Sequence, residues 1–208
     1  MKHYPSITHY DNSFLGISMI AFDKLDGSNL RFEWDKKKGW NKFGTRRTML
    51  NKEDSLYIGV DLFLSKYSEG LEKIFVDDKD FRGVKEFTVF CELHGPGSSF
   101  GQHDFVDMDV VLIDVNPLKK GFLPPREFIK KFHGLGTPEV LFDGILTEDE
   151  VLKIQSSKII KEGAVCKWMN NKHIQMCKIK TDKWLDTLKS KYGQEALDEE
   201  FGKIVKTA

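Results

Sequence analysis

Charged residues lie inside or at the ends of four apolar, strand-like segments of the sequence, where burial is costly without an opposite charge or a charged ligand. Lys178 and Lys180 alternate in CKIKT, and Glu162 and Lys167 frame EGAVCK. Strand residues two apart point to the same side, so Lys178 and Lys180 share a face. The basic residues inside or next to these strand-like segments are Lys24, Arg47, Lys167, Lys178 and Lys180. With Glu92 and Glu162 to hold a metal or a ribose, a cleft lined by them would bind a polyphosphate.

Lys24 lies in FDKLDGSNLRF, residues 22–32, among side chains that could pack into a core. A lysine is rarely buried without a partner or a task. Because residues two apart in a strand point the same way, Lys24 and Asp26 are expected to share a face. The KxDG pattern alone is a weak signal, because a chain rich in these residues produces it by chance.

The order of the predicted helices and strands indicates an α+β fold with mainly antiparallel sheet, because strands and helices follow one another without a regular βαβ order. The segment 18–44 is expected to form two strands with a turn at DKKKGW. Further strands are expected at 86–95, 108–117, 162–170 and 173–181, with a glycine turn at 94–101. Helices are expected at 53–75, 124–136, 147–158 (Thr147 as N-cap) and from Asp182, with Trp184, Leu185, Leu188 and Tyr192 on one stripe.

The composition of the 208 residues is that of an ordinary globular protein with a formal net charge of zero. The chain has no overall positive charge of the kind that indicates nucleic-acid binding, but residues 35–47 and 158–180 are locally basic and could contact a phosphate backbone. The three cysteines show no CxxC spacing and lie in apolar runs, which indicates buried, reduced thiols, and no zinc site is expected. With no apolar run long enough for a membrane and no signal peptide, we expect a cytoplasmic, intracellular protein.

Ordered motifs run from Lys24 to Lys180: KxDG, an arginine, ELxG, a hydrophobic strand with Asp114, EGxVxK and KxK. Their order resembles the covalent nucleotidyltransferases, which include ATP-dependent DNA and RNA ligases and mRNA capping enzymes. Asn29, two residues after the KxDG glycine, resembles the pattern of the phage double-strand-repair and kinetoplastid RNA-editing RNA ligases. The resemblance implies a ligase-type, ATP-grasp-like nucleotidyltransferase (adenylation) domain at 1–181, a helical tail at 182–208 and no OB-fold domain. A phage-encoded source would fit it.

The resemblance also implies the chemistry. Lys24 would attack ATP and hold AMP, the AMP would pass to a 5′-phosphate, and a 3′-OH would then seal the strand. Nearby Lys167, Lys178, Lys180 and Mg²⁺ are expected to lower the pKa of Lys24. The catalytic residues would be Lys24, Lys178 and Lys180, and the ATP-binding residues Lys24, Leu25, Arg47, Glu92, Ile113, Glu162, Lys167, Lys178 and Lys180. Glu162 would hold Mg²⁺ or Mn²⁺, while Asn29 and Arg46 would contact the RNA 3′ end, Arg46 being the second choice for the phosphate contact of Arg47.

The sequence departs from the family at two points and leaves alternatives open. Ile113 stands where an aromatic residue often stacks on adenine, and the usual C-terminal RNA ligase domain is missing or reduced to one helix. We expect a monomer that acts on nicked RNA duplexes or broken RNA ends, with an accessory protein as one substitute for that domain. The alternatives are a minimal DNA ligase or DNA/RNA hybrid joiner, a GTP-using guanylyltransferase, and a non-catalytic nucleic-acid-binding module.

Overall fold

The computed structural model describes residues 2–96 and 107–202, which form two β-sheets with four α-helices packed around them. The strands are β1 (Thr8–His9), β2 (Ser18–Asp23), β3 (Ser28–Asp35), β4 (Gly39–Thr45), β5 (Glu86–His94), β6 (Asp109–Pro117), β7 (Val140–Ile145), β8 (Gly163–Asn170) and β9 (His173–Lys180). The helices are α1 (Ile58–Asp77), α2 (Pro125–Phe132), α3 (Glu148–Gln155) and α4 (Asp182–Glu200), and short 3₁₀ turns cover Asn12–Phe14, Ser55–Tyr57, Lys79–Phe81 and His133–Leu135.

The five-stranded sheet has the order β1-β9-β8-β2-β7, and the four-stranded sheet has the order β4-β3-β5-β6. Every pair is antiparallel except β1 with β9. The predicted α+β class with mainly antiparallel sheet is therefore confirmed. The predicted glycine turn at 94–101 lies largely outside the described residues.

The segment 18–32 is two strands in two different sheets, which corrects the prediction of a single strand. β2 ends at Asp23 in the five-stranded sheet, and β3 begins at Ser28 in the four-stranded sheet. Residues 24–27, here called the crossover, connect the sheets, so Lys24 and Asp26 do not share a strand face. Gly27 permits this path, because a Cβ there would lie 2.1 Å from the carbonyl oxygen of Leu93.

Two hydrophobic cores of different character support the sheets. The large core lies between the four-stranded sheet, α1 and α2, and it is aromatic: Phe32 stacks on Phe63 with ring centroids 3.7 Å apart, and Phe75 stacks on Phe87 at 3.8 Å. The small core lies between the five-stranded sheet and α3 and contains Ala21, Ala164, Cys166, Cys177 and Ile154. All three cysteines are buried and free, as predicted.

The helices follow the predicted pattern with one correction. Thr147 caps α3, its hydroxyl accepting the N–H of Glu150 at 3.3 Å, as the capping-box pattern predicts. In α4, Trp184 and Leu188 are buried, but Tyr192 is 46% exposed because the helix kinks at Gly193. Within residues 2–96 and 107–202, no helix is long and apolar enough to cross a membrane.

Candidate active site

A cleft lies where the open faces of the two sheets meet, and it contains two adjoining cavities. One, of about 320 Å³, is here called the apolar cavity after its residues Phe22, Leu25, Ile113, Pro138 and Val165, although polar side chains such as Asn29 and Glu92 also line it. The other, of about 290 Å³, is polar, with Asp26, Glu162, Lys178, Lys180, Trp184 and Glu200 in its lining. Lys24, Gly27 and Arg46 line both cavities. A flat apolar group and a polyanion could therefore bind side by side, with Lys24 between them.

Lys24 is the first residue of the crossover, and the five-stranded sheet fixes its position. Its backbone N–H donates to the carbonyl oxygen of Gly163 at 2.9 Å. Its ammonium lies 2.7 Å from Glu162 Oε1, and the Lys180 ammonium binds the same oxygen. Gly163 allows this arrangement: its φ is +152°, and a Cβ there would lie 2.0 Å from the carbonyl oxygen of Ile179. The Glu162 carboxylate thus bridges two of the predicted catalytic lysines.

The pKa of Lys24 is raised in the protein without ligand, which corrects the expected lowering. Burial favours the neutral amine, but the carboxylates of Glu162, Glu92 and Asp26 outweigh it. The lowered pKa was expected from the lysines around Lys24, whereas the charge closest to its ammonium is the carboxylate of Glu162.

Lys178 and Lys180 point from β9 into the polar cavity, while Cys177 and Ile179 point into the small core, as strand alternation predicts. Lys180 lies over the ring of Trp184, 3.4 Å from its centroid. Burial, with the charge of Lys24 in support, lowers the pKa of Lys180 although Glu162 opposes this.

Lys167 forms a buried ion pair that links the two sheets at the edge of the apolar cavity. Its ammonium donates to Asp114 Oδ2 at 2.6 Å and to the carbonyl oxygen of Ile113 at 2.9 Å. Tyr4 donates to the same Asp114 oxygen at 2.5 Å. A bulge in β6 opposite Phe90 explains why the consecutive residues Ile113 and Asp114 both reach the cleft.

The four-stranded sheet contributes Asn29, Glu92 and Ile113 to the apolar cavity. Asn29 and Glu92 are cross-strand neighbours, and the Asn29 side chain hydrogen-bonds the Glu92 carboxylate. Burial raises the pKa of Glu92 to about 7, against the opposing charge of Lys24. The Glu92 carboxyl therefore binds a proton more readily than an ordinary glutamate, and it lines the apolar cavity.

Both arginines are exposed, but Arg46 lines both cavities, whereas Arg47 lines neither of them. His3 Nδ1 lies 2.5 Å from the Arg46 carbonyl oxygen. The structure therefore favours Arg46 for the phosphate contact that the sequence analysis assigned first to Arg47.

Several residues of the site come from segments without a motif. Tyr4 and Ile7 reach the apolar cavity from the N-terminal segment, and Trp184 and Glu200 reach the polar cavity from α4. Helical periodicity marked Trp184 as a buried residue of α4 but not as part of the site, and no local pattern marked Tyr4, Ile7 or Glu200, because their contacts are with residues distant along the chain.

Glu162 and Asp23 carry oxygen atoms that could hold a divalent metal. Glu162 Oε2 and Asp23 Oδ1 are buried, and neither has a hydrogen-bond partner among the described residues. Within this part of the chain, no group of three or more His, Cys, Asp or Glu could enclose a metal. That donor set suits Mg²⁺ or Mn²⁺, since Mg²⁺ usually takes one or two carboxylates and fills its other positions with water and phosphate.

Comparisons with known proteins agree with this geometry. The structure is similar to chains of Naegleria gruberi RNA ligase variants: one with ATP and Mn (TM-score 0.62, 18% identity), one with AMP and Mn (0.65, 18%) and one without ligand (0.64, 18%). The match covers 84% of this chain in the first case and 90% in the others. It spans 52% of the first of those chains and 60% of the other two, and at this identity the likeness concerns the fold.

A comparison with curated proteins gave no match. The sequence model of the RNA ligase family matches residues 18–187, which contain every motif from Lys24 to Lys180. Because that match covers most of the sequence, the chain belongs to the RNA ligase family.

Proposed function

We propose that the protein is an ATP-dependent RNA ligase that joins a 3′-OH end to a 5′-phosphate end. The observation that carries this proposal is the position of Lys24, at the boundary between an apolar cavity and a cavity lined by lysines. Adenosine in the first cavity and phosphates in the second would place the α-phosphorus of ATP beside the Lys24 amine. The relatives in Naegleria gruberi with ATP or AMP and Mn support the choice of nucleotide and metal.

In the first step, the Lys24 ammonium gives a proton to solvent, and the free amine attacks the α-phosphorus. A nitrogen–phosphorus bond forms, the bond to the β-phosphate oxygen breaks, and pyrophosphate leaves. Lys178 and Lys180 stabilise the charge that develops on the α-phosphate oxygens. Because the Glu162 carboxylate stabilises Lys24 as an ammonium, this ion pair opposes the loss of the proton. A divalent metal held by Glu162 would weaken the pair and shield the phosphate charge.

In the later steps, an oxygen of the RNA 5′-phosphate attacks the lysyl-AMP phosphorus and releases the Lys24 amine. A 3′-OH then attacks the 5′ phosphorus, the new phosphodiester forms, and AMP leaves. Asn29 would orient the 3′ end, and Arg46 would bind a phosphate through its guanidinium fork, with Arg47 as an outer contact.

The nucleoside has assigned contacts of its own. Ile113 and Leu25 would pack against the adenine, Glu92 would accept from a ribose hydroxyl, and Lys167 would lie at the edge of the nucleotide. The Lys167–Asp114 pair keeps Lys167 fixed rather than free to follow a phosphate. We therefore assign Lys167 to the base and ribose side of the nucleotide.

Mass spectrometry of the intact protein after incubation with ATP and Mn²⁺ tests the covalent step. We expect the mass of one AMP on the wild type, none on Lys24→Ala, and an unchanged addition on Lys37→Ala, a matched exposed lysine in the β3–β4 turn. AMP on Lys24→Ala would contradict the proposal, and labelling by GTP instead of ATP would indicate a guanylyltransferase.

Sealing assays on nicked all-RNA, hybrid and all-DNA duplexes test the substrate. We expect sealing of RNA strands that carry a 3′-OH and a 5′-phosphate, and none with a 5′-hydroxyl. Preference for an all-DNA nick would indicate a DNA ligase. The domain limits 1–181 and 182–208 and an accessory protein stay predictions. The monomeric state is also a prediction, which gel filtration with and without RNA would check.

A further inference from the structure

The end of α4 folds back onto the lysines of β9. Gly193 has φ +85° and ψ 179°, values outside the helical region, and it kinks the helix. In a straight helix, Trp184 and Glu200 would lie about 24 Å apart along the axis. Here the Trp184 ring centroid and Glu200 Oε1 each lie 3.4 Å from the ammonium of Lys180. Residues 194–201, here called the C-terminal strap, therefore return to the active site.

The strap places one carboxylate among three donors. Glu200 Oε1 lies 2.7 Å from Lys178 Nζ, 3.4 Å from Lys180 Nζ and 3.2 Å from His9 Nε2. His9 Nε2 also lies 2.7 Å from the Glu200 carbonyl oxygen, and the rings of His9 and Phe201 pack with centroids 4.5 Å apart. His9 thus holds the strap in place, and the Glu200 carboxylate of the strap forms ion pairs with Lys178 and Lys180.

We propose that Glu200 occupies the place of a substrate phosphate, so that the strap competes with the nucleotide for Lys178 and Lys180. A carboxylate and a phosphate use the same charge-assisted hydrogen bonds, so both cannot use these lysines fully at once. The strap lies beyond residue 187, where the match to the family model ends, so the family resemblance does not account for it. The inference rests on the proposed function only for the identity of the anion.

The size of the competition follows from the fraction of molecules with the strap open. Apparent affinity falls in proportion to that fraction, so a strap closed in about nine of ten molecules weakens phosphate binding about tenfold. An effect of this size is reasonable for a half-buried carboxylate with two lysine partners. Opening must break these ion pairs and the His9 contacts.

Calorimetric titration of the full chain with tripolyphosphate tests the proposal, because this probe has no nucleoside and cannot transfer AMP. We expect Glu200→Gln to bind tripolyphosphate about tenfold more tightly than the wild type. Glu195→Gln, which removes an exposed acid from the same strap away from the lysines, should match the wild type. His9→Ala should tighten binding as well, and it provides a second variant if Glu200→Gln does not fold.

Unchanged or weaker binding of tripolyphosphate by folded Glu200→Gln would overturn the proposal. Weaker binding would show instead that Glu200 positions the two lysines. An equal gain in Glu195→Gln would also overturn it, because the effect would then be one of net charge. Intact-mass measurement with ATP on the same samples separates the two questions. A tenfold gain in the affinity for tripolyphosphate, with no covalent AMP on any variant, would support the competition by the strap and contradict the covalent step.

Discussion

The two sheets that form the cleft differ in what they contribute to it. The five-stranded sheet and its connections supply the charged groups Lys24, Glu162, Lys167, Lys178 and Lys180, and its own core is small. The four-stranded sheet supplies Asn29, Glu92 and Ile113, and its other face carries the aromatic core. Chemistry and stability are thus divided between the two walls of the cleft, so variants in each wall should fail in different ways.

The largest expected effect is on stability, in the aromatic core. Phe63→Ala removes a ring that stacks on Phe32, and we expect the free energy of unfolding to fall by about 4 kcal/mol. Cys166→Ala in the small core removes only one sulfur, and we expect a loss of about 1 kcal/mol. Urea denaturation followed by circular dichroism measures both. Equal losses would mean that the two cores contribute alike, contrary to the comparison.

The next effect is on the rate of adenylylation, in the five-stranded wall. Glu162→Gln removes the carboxylate that bridges Lys24 and Lys180 and is the candidate metal ligand. We expect the rate to fall by about 10²–10³-fold, the range found when one preorganised polar group is lost. Single-turnover labelling with radioactive ATP measures it. Glu53→Gln, an exposed acid that lines neither cavity, serves as the control and should retain the full rate.

The third effect is a pH dependence that originates in the four-stranded wall. The pKa of Glu92 is about 7 in the folded protein against 4.5 for an ordinary Glu, so the folded state holds the proton more tightly. The free energy of unfolding should therefore fall as the pH rises from about 4.5 to about 7. In Glu92→Gln this contribution is absent, so the variant should gain about 3 kcal/mol relative to the wild type across that range. Urea denaturation of both proteins at pH 4.5 and pH 8, without metal or nucleotide, tests it, and parallel changes in the two would contradict it.

The smallest effect separates the two adjacent arginines. Arg46→Ala should raise the KM for ATP about tenfold, since one charge-assisted contact contributes roughly 1.5 kcal/mol, while Arg47→Ala should change it less than twofold. Steady-state labelling at several ATP concentrations measures both. A larger effect for Arg47 would restore the first assignment.

The sequence predicted the strands that carry motifs well, because alternation is local: Lys178 and Lys180 face the cleft as expected. It also predicted the mixed fold with mainly antiparallel sheet. It failed where geometry depends on contacts distant in the chain. The crossover at 24–27 divides a segment that was predicted as one strand, and β7 (Val140–Ile145) was not predicted at all.

The site residues divide in the same way, between features that local patterns predict and features that depend on contacts distant along the chain. Glu162 was expected near the lysines, but its direct contact with Lys24, which sets the direction of the pKa shift, could not be read from spacing. Ile113 and Asp114 reach the cleft together only because of the bulge in β6. Tyr4 and Glu200 come from opposite ends of the described chain, where no periodicity marks them.

The crossover and the Lys167–Asp114 pair connect the two sheets at two places beside the cleft. Lys24 is also bound to β8, through the hydrogen bond from its backbone N–H to the carbonyl oxygen of Gly163. Its amine, Glu162 and Lys180 therefore belong to one wall of the cleft. A shift of the opposite wall to fit a nucleotide would leave the distances among these three groups unchanged.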